Sequence, residues 1–297
     1  MAEVYAVLEG MDIMQSPLVS TAWLEERLQD ENLRIVELRG KVLPPTDPPP
    51  HYLSDAAGYR TSHIPNALFV DWLVDIVEPG SPSNDIAPPE RFAALMSRLG
   101  IGNGHQVIAY DNLASMLAGR MRWALRYYGH GDVRVLDGGW ERWLAEGRPV
   151  STIVPQFEPT TYETQVDASL IATADDILAA LTAGDIQLID VRSPAEYAGE
   201  TSRAKTAGHI PGAISAPWQL MLADDKTVRP AIELREQLDE LGINLQAKDT
   251  VLYCNSGVSA TVGMLAMEIA GAENLRLYDG SWTDWGNNPS TPKASTA

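Results

Sequence analysis

The chain of 297 residues is long enough for two average domains, each able to bury a core of its own. With 45% hydrophobic and 21% charged residues it has the composition of a globular protein, which excludes a disordered or fibrous chain. Its net charge of −18 repels phosphate backbones and anionic lipid surfaces, so nucleic acid and membranes are poor partners, and an anionic substrate has to be held by local arginines against the overall field.

The opening residues, MAEVYAVLEGMDIMQ, carry acids and no basic residue before Arg27, unlike a secretory or organellar leader, and residues 1–15 are read as a loose tail. TAWLEERL from Thr21 is predicted to be a helix, followed by the short buried strand RIVEL. The Pro-rich stretch Pro44–Pro50 is expected to form a stiff surface loop. After SHIPNA around His63, PPERFAALMSRLG has helical periodicity and ends on a glycine. VIAY and VRVL are again short strands, and VRVLDGGWERW closes the first half. Residues 151–167 are rich in Thr, Pro and Glu without helical periodicity, which marks a linker crossing a domain surface.

Beyond the linker the same series returns. IQLIDV answers RIVEL, GHIPGA around His209 answers SHIPNA, TVLYC answers QVIAY, and LRLYDGSWTDW answers VRVLDGGWERW. Repeats of this length are duplicated globular domains rather than solenoid units. The expected layout is a domain over 16–150, the linker over 151–167, a second domain over 168–290 and a tail over 291–297. Strands alternating with amphipathic helices predict an α/β fold, each domain a parallel sheet with helices on both faces and its site at the carboxyl ends of the strands.

Cys254 combines a strand end, a nucleophile and a helix start. It is the chain's one cysteine, so an intrachain disulfide is impossible and a reducing, cytoplasmic setting is expected. VLYC ends a strand, NSGVS is a small polar loop, and the helix from Ser259 follows at once. Backbone N–H groups converging there, with the helix dipole, favour a thiolate that is exposed and ready. Gly257 lets the loop curl tightly. Asp111 stands beside the corresponding position of the first repeat, where a carboxylate cannot act as a sulfur nucleophile.

The duplicated layout, the two HIP segments, DGSWTDW and the CNSGVSA loop resemble tandem rhodanese-domain sulfurtransferases from about Ser16 onwards. The loop is similar to the CGSGVTA type of 3-mercaptopyruvate sulfurtransferases, departing at Asn255 and Ser259. The resemblance implies a catalytically silent first domain and a persulfide on Cys254, charged by an anionic sulfur donor and discharged by a thiol such as thioredoxin or glutathione. It further implies a proton relay of Ser256, His63 and Asp55 across the domain interface. The donor is expected to be bound by Arg203 or Arg192 and by the loop residues Asn255, Gly257, Val258 and Ser259. Glu196 stands where the family has a second substrate arginine. Arg192 has as its competing role an internal ion pair with Asp190 or Glu196. Trp282 is the one repeated tryptophan expected near the loop; the others are read as packing residues.

Thiosulfate as donor and a non-catalytic sulfur-responsive module are the alternatives. Phosphatases of this fold need an arginine about six residues after the cysteine to hold the dianion, and Ala260 stands there. The five histidines are scattered, so neither a metal nor an organic cofactor is expected.

Overall fold

The computed structural model describes residues 16–296, and the expected tail over 1–15 lies outside them. The first domain runs β1 (Leu18–Val19), α1 (Thr21–Glu25), β2 (Leu33–Leu38), β3 (Gly40–Val42), β4 (Tyr52–Ser54), α2 (Ala56–Thr61) and β5 (Ala67–Phe69). It continues with α3 (Pro89–Arg98), β6 (Gln106–Asp111), α4 (Met116–Tyr127), β7 (Val133–Leu136) and α5 (Gly139–Ala145). The second runs β8 (Ile171–Ala172), α6 (Ala174–Ala183), β9 (Gln187–Asp190), α7 (Pro194–Ala198), β10 (Ile214–Ser215) and α8 (Ala231–Glu240). It ends with β11 (Thr250–Tyr253), α9 (Ala260–Ala270), β12 (Leu275–Tyr278) and α10 (Ser281–Asn287).

The two main sheets have one topology. Strand order is β1-β7-β6-β2-β5 in the first and β8-β12-β11-β9-β10 in the second, and every pair within them is parallel. Alternate residues of each central strand enter different cores. Ile108 and Tyr110 of β6 pack with Ile35, Trp140 and Trp143, whereas Val107 and Ala109 face the opposite cluster. A sheet buried on both faces needs covering helices on both, which is why its strands carry continuous apolar runs. One large apolar cluster spans both domains, drawing on Leu117 and Met121 of α4 and Val262 and Met264 of α9. Gly119 lets these two helices approach closely, since a Cβ there would lie 2.8 Å from Thr261 Oγ1.

Three features differ from the sequence-based expectation. The helix predicted over TAWLEERL ends at Glu25, and Arg27 N–H donates to Leu24 O, a tighter turn than the α-helical one. The Pro-rich stretch is flanked by the antiparallel pair β3 and β4, which carries Tyr52 and Leu43 towards the second domain. The segment after 290 does not hang loose: Ala294 pairs with His209, as Ser151 pairs with His63, and Trp285 Nε1 donates to Pro292 O at 2.7 Å. The linker carries no helix and is pinned to the first domain, with Tyr162 buried and the amides of Thr160, Gln165 and Asp167 donating to Ser97, Tyr128 and Tyr127 carbonyls.

Candidate active site

β11 delivers Cys254 to the carboxyl end of its sheet, and the loop returns at once into α9. The residue is 2% exposed, so the expectation of an openly exposed sulfur is corrected: Cys254 lies in the wall of a cavity of about 560 Å³. Asn255, Ser256, Val258 and Ser259 line the same space, with Arg192, Glu196 and Arg203 of the second domain. Tyr52 and Asn112 close it from the first. Gly257 does not line it. Its φ of +67° turns the loop, and a Cβ there would lie 2.6 Å from Asp279 Oδ1, so its role is the turn and not contact with substrate.

The first domain supplies an internal comparison. Tyr110 and Tyr253 hold the same bond, each hydroxyl accepting the amide of a HIP isoleucine, Ile64 at 3.0 Å and Ile210 at 3.1 Å. Ala114 and Gly257 share a left-handed φ, +56° and +67°. Counting from either match, Asp111 sits at the position of Cys254 and not beside it. Its carboxylate accepts the amides of Leu113, Ser115, Leu117 and Ala118 at 2.8, 3.0, 2.6 and 2.8 Å. Burial pushes the Asp111 carboxyl up, and these amides pull it back. The loop of the first half is therefore an anion cradle occupied by a side-chain carboxylate.

In the second domain the corresponding amides are those of Ser256, Val258, Ala260 and Thr261. Thr261 N–H donates to Val258 O at 3.2 Å, and the other three have no protein acceptor among the described residues. Two further amides do not serve the sulfur: those of Cys254 and Gly257 donate to Ser281 Oγ at 3.1 and 3.0 Å. The expected convergence of the whole loop on Cys254 is thus narrowed to the amides of Ser256, Val258 and Ala260, three of the four positions that cradle Asp111 in the other half.

Arg192 and Arg203 behave differently. Arg192 pairs with Asp190, donates to Gly208 O at 2.7 Å and lies over Trp282 at 4.6 Å. Arg39 repeats each contact in the first half, with Glu37, with Ser62 O and over Trp140. An interaction present in both halves belongs to the fold, so the internal ion pair accounts for Arg192. Arg203 has no such counterpart. Its Nη2 donates to Leu43 O across the domain interface at 2.5 Å, while Nε and Nη1 are buried without hydrogen-bond partners. Its Nε lies 3.7 Å from Glu196 Oε1, beyond hydrogen-bond distance.

A rhodanese-like domain model matches residues 20–146 and again 173–288. The chain belongs to the rhodanese-like family. This tandem rhodanese is 37% identical over 290 residues to the sulfur carrier protein TtuD of Thermus thermophilus, covering 93% of this chain and 96% of that one. It is 33% identical over 283 residues to a thiosulfate sulfurtransferase of Corynebacterium glutamicum, covering 91% and 87% of the two chains. Among solved structures it is similar to SseA from Escherichia coli, a 3-mercaptopyruvate sulfotransferase, with a TM-score of 0.80 and 28% identity over 90% of this chain and 99% of that one. The rhodanese sulfurtransferase class therefore holds for this chain.

In this rhodanese the expected Ser-His-Asp relay is not assembled. His63 is fully buried away from the cavity, stacked on Tyr59 at 4.2 Å, with its ring nitrogens 2.8 Å from Tyr59 O and 3.0 Å from Ile153 O. His209 repeats the arrangement, stacked on Tyr197 at 3.8 Å with Nδ1 2.7 Å from Tyr197 O. Asp55 caps α2, accepting Gly58 N–H at 2.9 Å, as Ser193 caps α7. Both first-domain residues hold the chain in place. Ser256 does line the cavity, and so does Tyr52, a residue the sequence reading passed over. Burial pushes the Tyr52 phenol up, Arg203 and the Ser256 hydroxyl pull it down, and Cys254 and Glu196 add to the rise. Ser281 was likewise missed, although Gly139 opposite it marks a difference between the halves at a loop-facing position.

Proposed function

We propose that the protein takes the sulfur of 3-mercaptopyruvate onto Cys254 as a persulfide and passes it to a thiol. The equivalence of Asp111 and Cys254 carries this reading. A carboxylate places its oxygens one bond beyond Cγ, and a persulfide places its outer sulfur one bond beyond Sγ. The amides at the positions that hold the Asp111 oxygens are thus suited to the outer sulfur anion. The Cys254 thiolate attacks the donor's thiol sulfur, a new S–S bond forms, and the C–S bond breaks with its electron pair passing to C3 as the enolate of pyruvate. The hydroxyls of Ser256 and Tyr52 are placed to exchange the proton that enolate needs.

The choice of donor rests on charge. The loop after Cys254 is uncharged, and Arg203, with two unused buried donors against one on Arg192, matches a single carboxylate. Glu196 on the same wall opposes a dianion. Lys226 on the cavity and the naming of relatives keep thiosulfate as the second reading. Incubation with 3-mercaptopyruvate is expected to add about 32 Da, one sulfur, to the intact protein, lost on reduction and absent in Cys254→Ser. No adduct with either donor would leave a binding module in front, and faster loading from thiosulfate would reverse the donor assignment.

A further inference from the structure

The wall opposite Cys254 holds a separated pair of opposite charges. Arg203 is 10% exposed at its side chain and Glu196 8%, yet the two are 3.7 Å apart and not hydrogen-bonded. Glu196 is oriented by other partners: Oε2 accepts Ser193 Oγ at 2.9 Å and Oε1 accepts Asn255 Nδ2 at 2.9 Å. Because a carboxylate only accepts, that bond fixes the Asn255 amide with its nitrogen towards Glu196 and its oxygen away. Asn255 Oδ1 is then buried without a partner, as are Arg203 Nε and Nη1. The equivalent amide in the first half is satisfied on both sides, Asn112 Oδ1 accepting Gly40 N–H at 3.0 Å and Nδ2 donating to Gly40 O at 3.1 Å. Residues lining one cavity thus carry unused buried donors, two on Arg203 and one on Arg192, and an unused buried acceptor on Asn255, and these polar groups stay unsatisfied in the free protein.

We infer that the sulfur acceptor of this site is a small α-amino-acid thiol of the cysteine class, its carboxylate on Arg203 and its ammonium on Glu196 and Asn255 Oδ1. This rests on the persulfide reading above. Donor and acceptor both have to reach Cys254, and the cavity that it lines serves them in turn. Cysteine and 3-mercaptopyruvate share a three-carbon frame with carboxylate on C1 and sulfur on C3. They differ at C2, where the ketone offers only lone pairs and the ammonium offers three donors. A free acceptor beside a carboxylate is chemistry for the second of these, and a lone monoanion leaves it unused. The acceptor's sulfur attacks the outer sulfur of Cys254–S–S⁻, and its thiol proton ends on the transferred sulfur. The bond to Cys254 breaks with its electron pair, returning the thiolate, so RSH and the persulfide give RSSH and Cys254–S⁻ with no further reactant.

The test uses the full chain loaded with 3-mercaptopyruvate or, if only that loads it, thiosulfate, with the added sulfur verified by mass. Discharge is then timed with L-cysteine, 3-mercaptopropionate, which lacks the ammonium, cysteamine, which lacks the carboxylate, and 2-mercaptoethanol, at equal thiolate and below saturation. L-Cysteine is expected to discharge the persulfide at least about tenfold faster than any of the others, and Glu196→Gln to reduce its advantage over 3-mercaptopropionate by about tenfold. Rates that follow thiolate concentration alone would overturn the acceptor assignment while leaving the persulfide intact. A chain that cannot be loaded overturns the persulfide reading, and this one with it. The wild-type series decides the matter even if Glu196→Gln loosens the cap of α7.

Discussion

Ser281 adopts a φ of +51°, the value its counterpart Gly139 also adopts. For a residue with a Cβ this conformation costs about 1–3 kcal/mol, and glycine avoids most of that cost. What the serine adds is its hydroxyl, which accepts the amides of Cys254 and Gly257 and donates to Tyr278 O at 2.8 Å, fixing both ends of the tight loop. Ser281→Gly is expected to leave the melting temperature nearly unchanged, because relief of the backbone offsets the cost of leaving the Cys254 and Gly257 amides unpaired. It is expected to lower kcat for sulfur transfer by roughly tenfold, with KM changed less than twofold, since the loop loses its anchor and the substrate groups remain. A lower melting temperature with kcat retained would make Ser281 a packing residue only. Nothing in DGSW read alone marks the serine as an anchor; the signal was the Gly139/Ser281 difference within a segment whose Asp, Gly and Trp agree between the repeats.

At the level of elements, each HIP histidine locks the segment after a short helix to a later stretch of chain. His63 exchanges backbone hydrogen bonds with Ser151 at 2.9 and 2.8 Å, and His209 does so with Ala294 at 2.8 and 3.0 Å. His63→Ala is expected to lower folding stability by about 1–3 kcal/mol, because the buried Tyr59 carbonyl loses its partner and the Tyr59 ring its stacked neighbour. Activity per folded molecule is expected to be unchanged. Denaturant titration beside kinetics separates this from a relay, which would cost turnover at constant stability. The strands were legible because a sheet buried on both faces demands short continuous apolar runs, and RIVEL, VIAY and TVLYC supply them. The pair β3 and β4 was not, since strands of three residues on either side of a proline run leave no period to detect. Tyr52 was overlooked with them.

Across the whole molecule the two domains clasp each other reciprocally. Asp279 Oδ2 accepts Ile86 N–H of the first domain at 2.8 Å, and Asp137 Oδ1 accepts Val228 N–H of the second at 3.0 Å. Asp279 is also paired with Arg120, a cation whose position in the other repeat is held by Gly263. Burial pushes the Asp137 carboxyl up to about 6, against the pull of the Val228 amide and Arg142. Between the unfolded value near 4 and this folded value the native state binds the extra proton, so Asp137 makes stability fall as pH rises from about 4 to about 7. Asp137→Asn keeps an acceptor for Val228 without the charge. It is expected to be more stable than the parent at pH 7, by on the order of 1–3 kcal/mol, with the gain vanishing towards pH 4. Melting curves of the two proteins across that range check it, and a constant difference would show that the carboxyl does not titrate there.

The duplication, the parallel α/β architecture and the cysteine at a strand end were determined by sequence alone, because apolar periodicity and self-similarity are local properties of the chain. Which polar residues meet Cys254 was decided only by the tertiary structure. His63 and Asp55 resemble a relay in one dimension and are fold-holding groups in three. Tyr52 carries no shared spacing with Cys254 and meets it because a strand pair of the first domain closes over the second. The cause is physical: a hydrogen bond or ion pair depends on distance and burial, which the packing of two domains fixes and residue order does not.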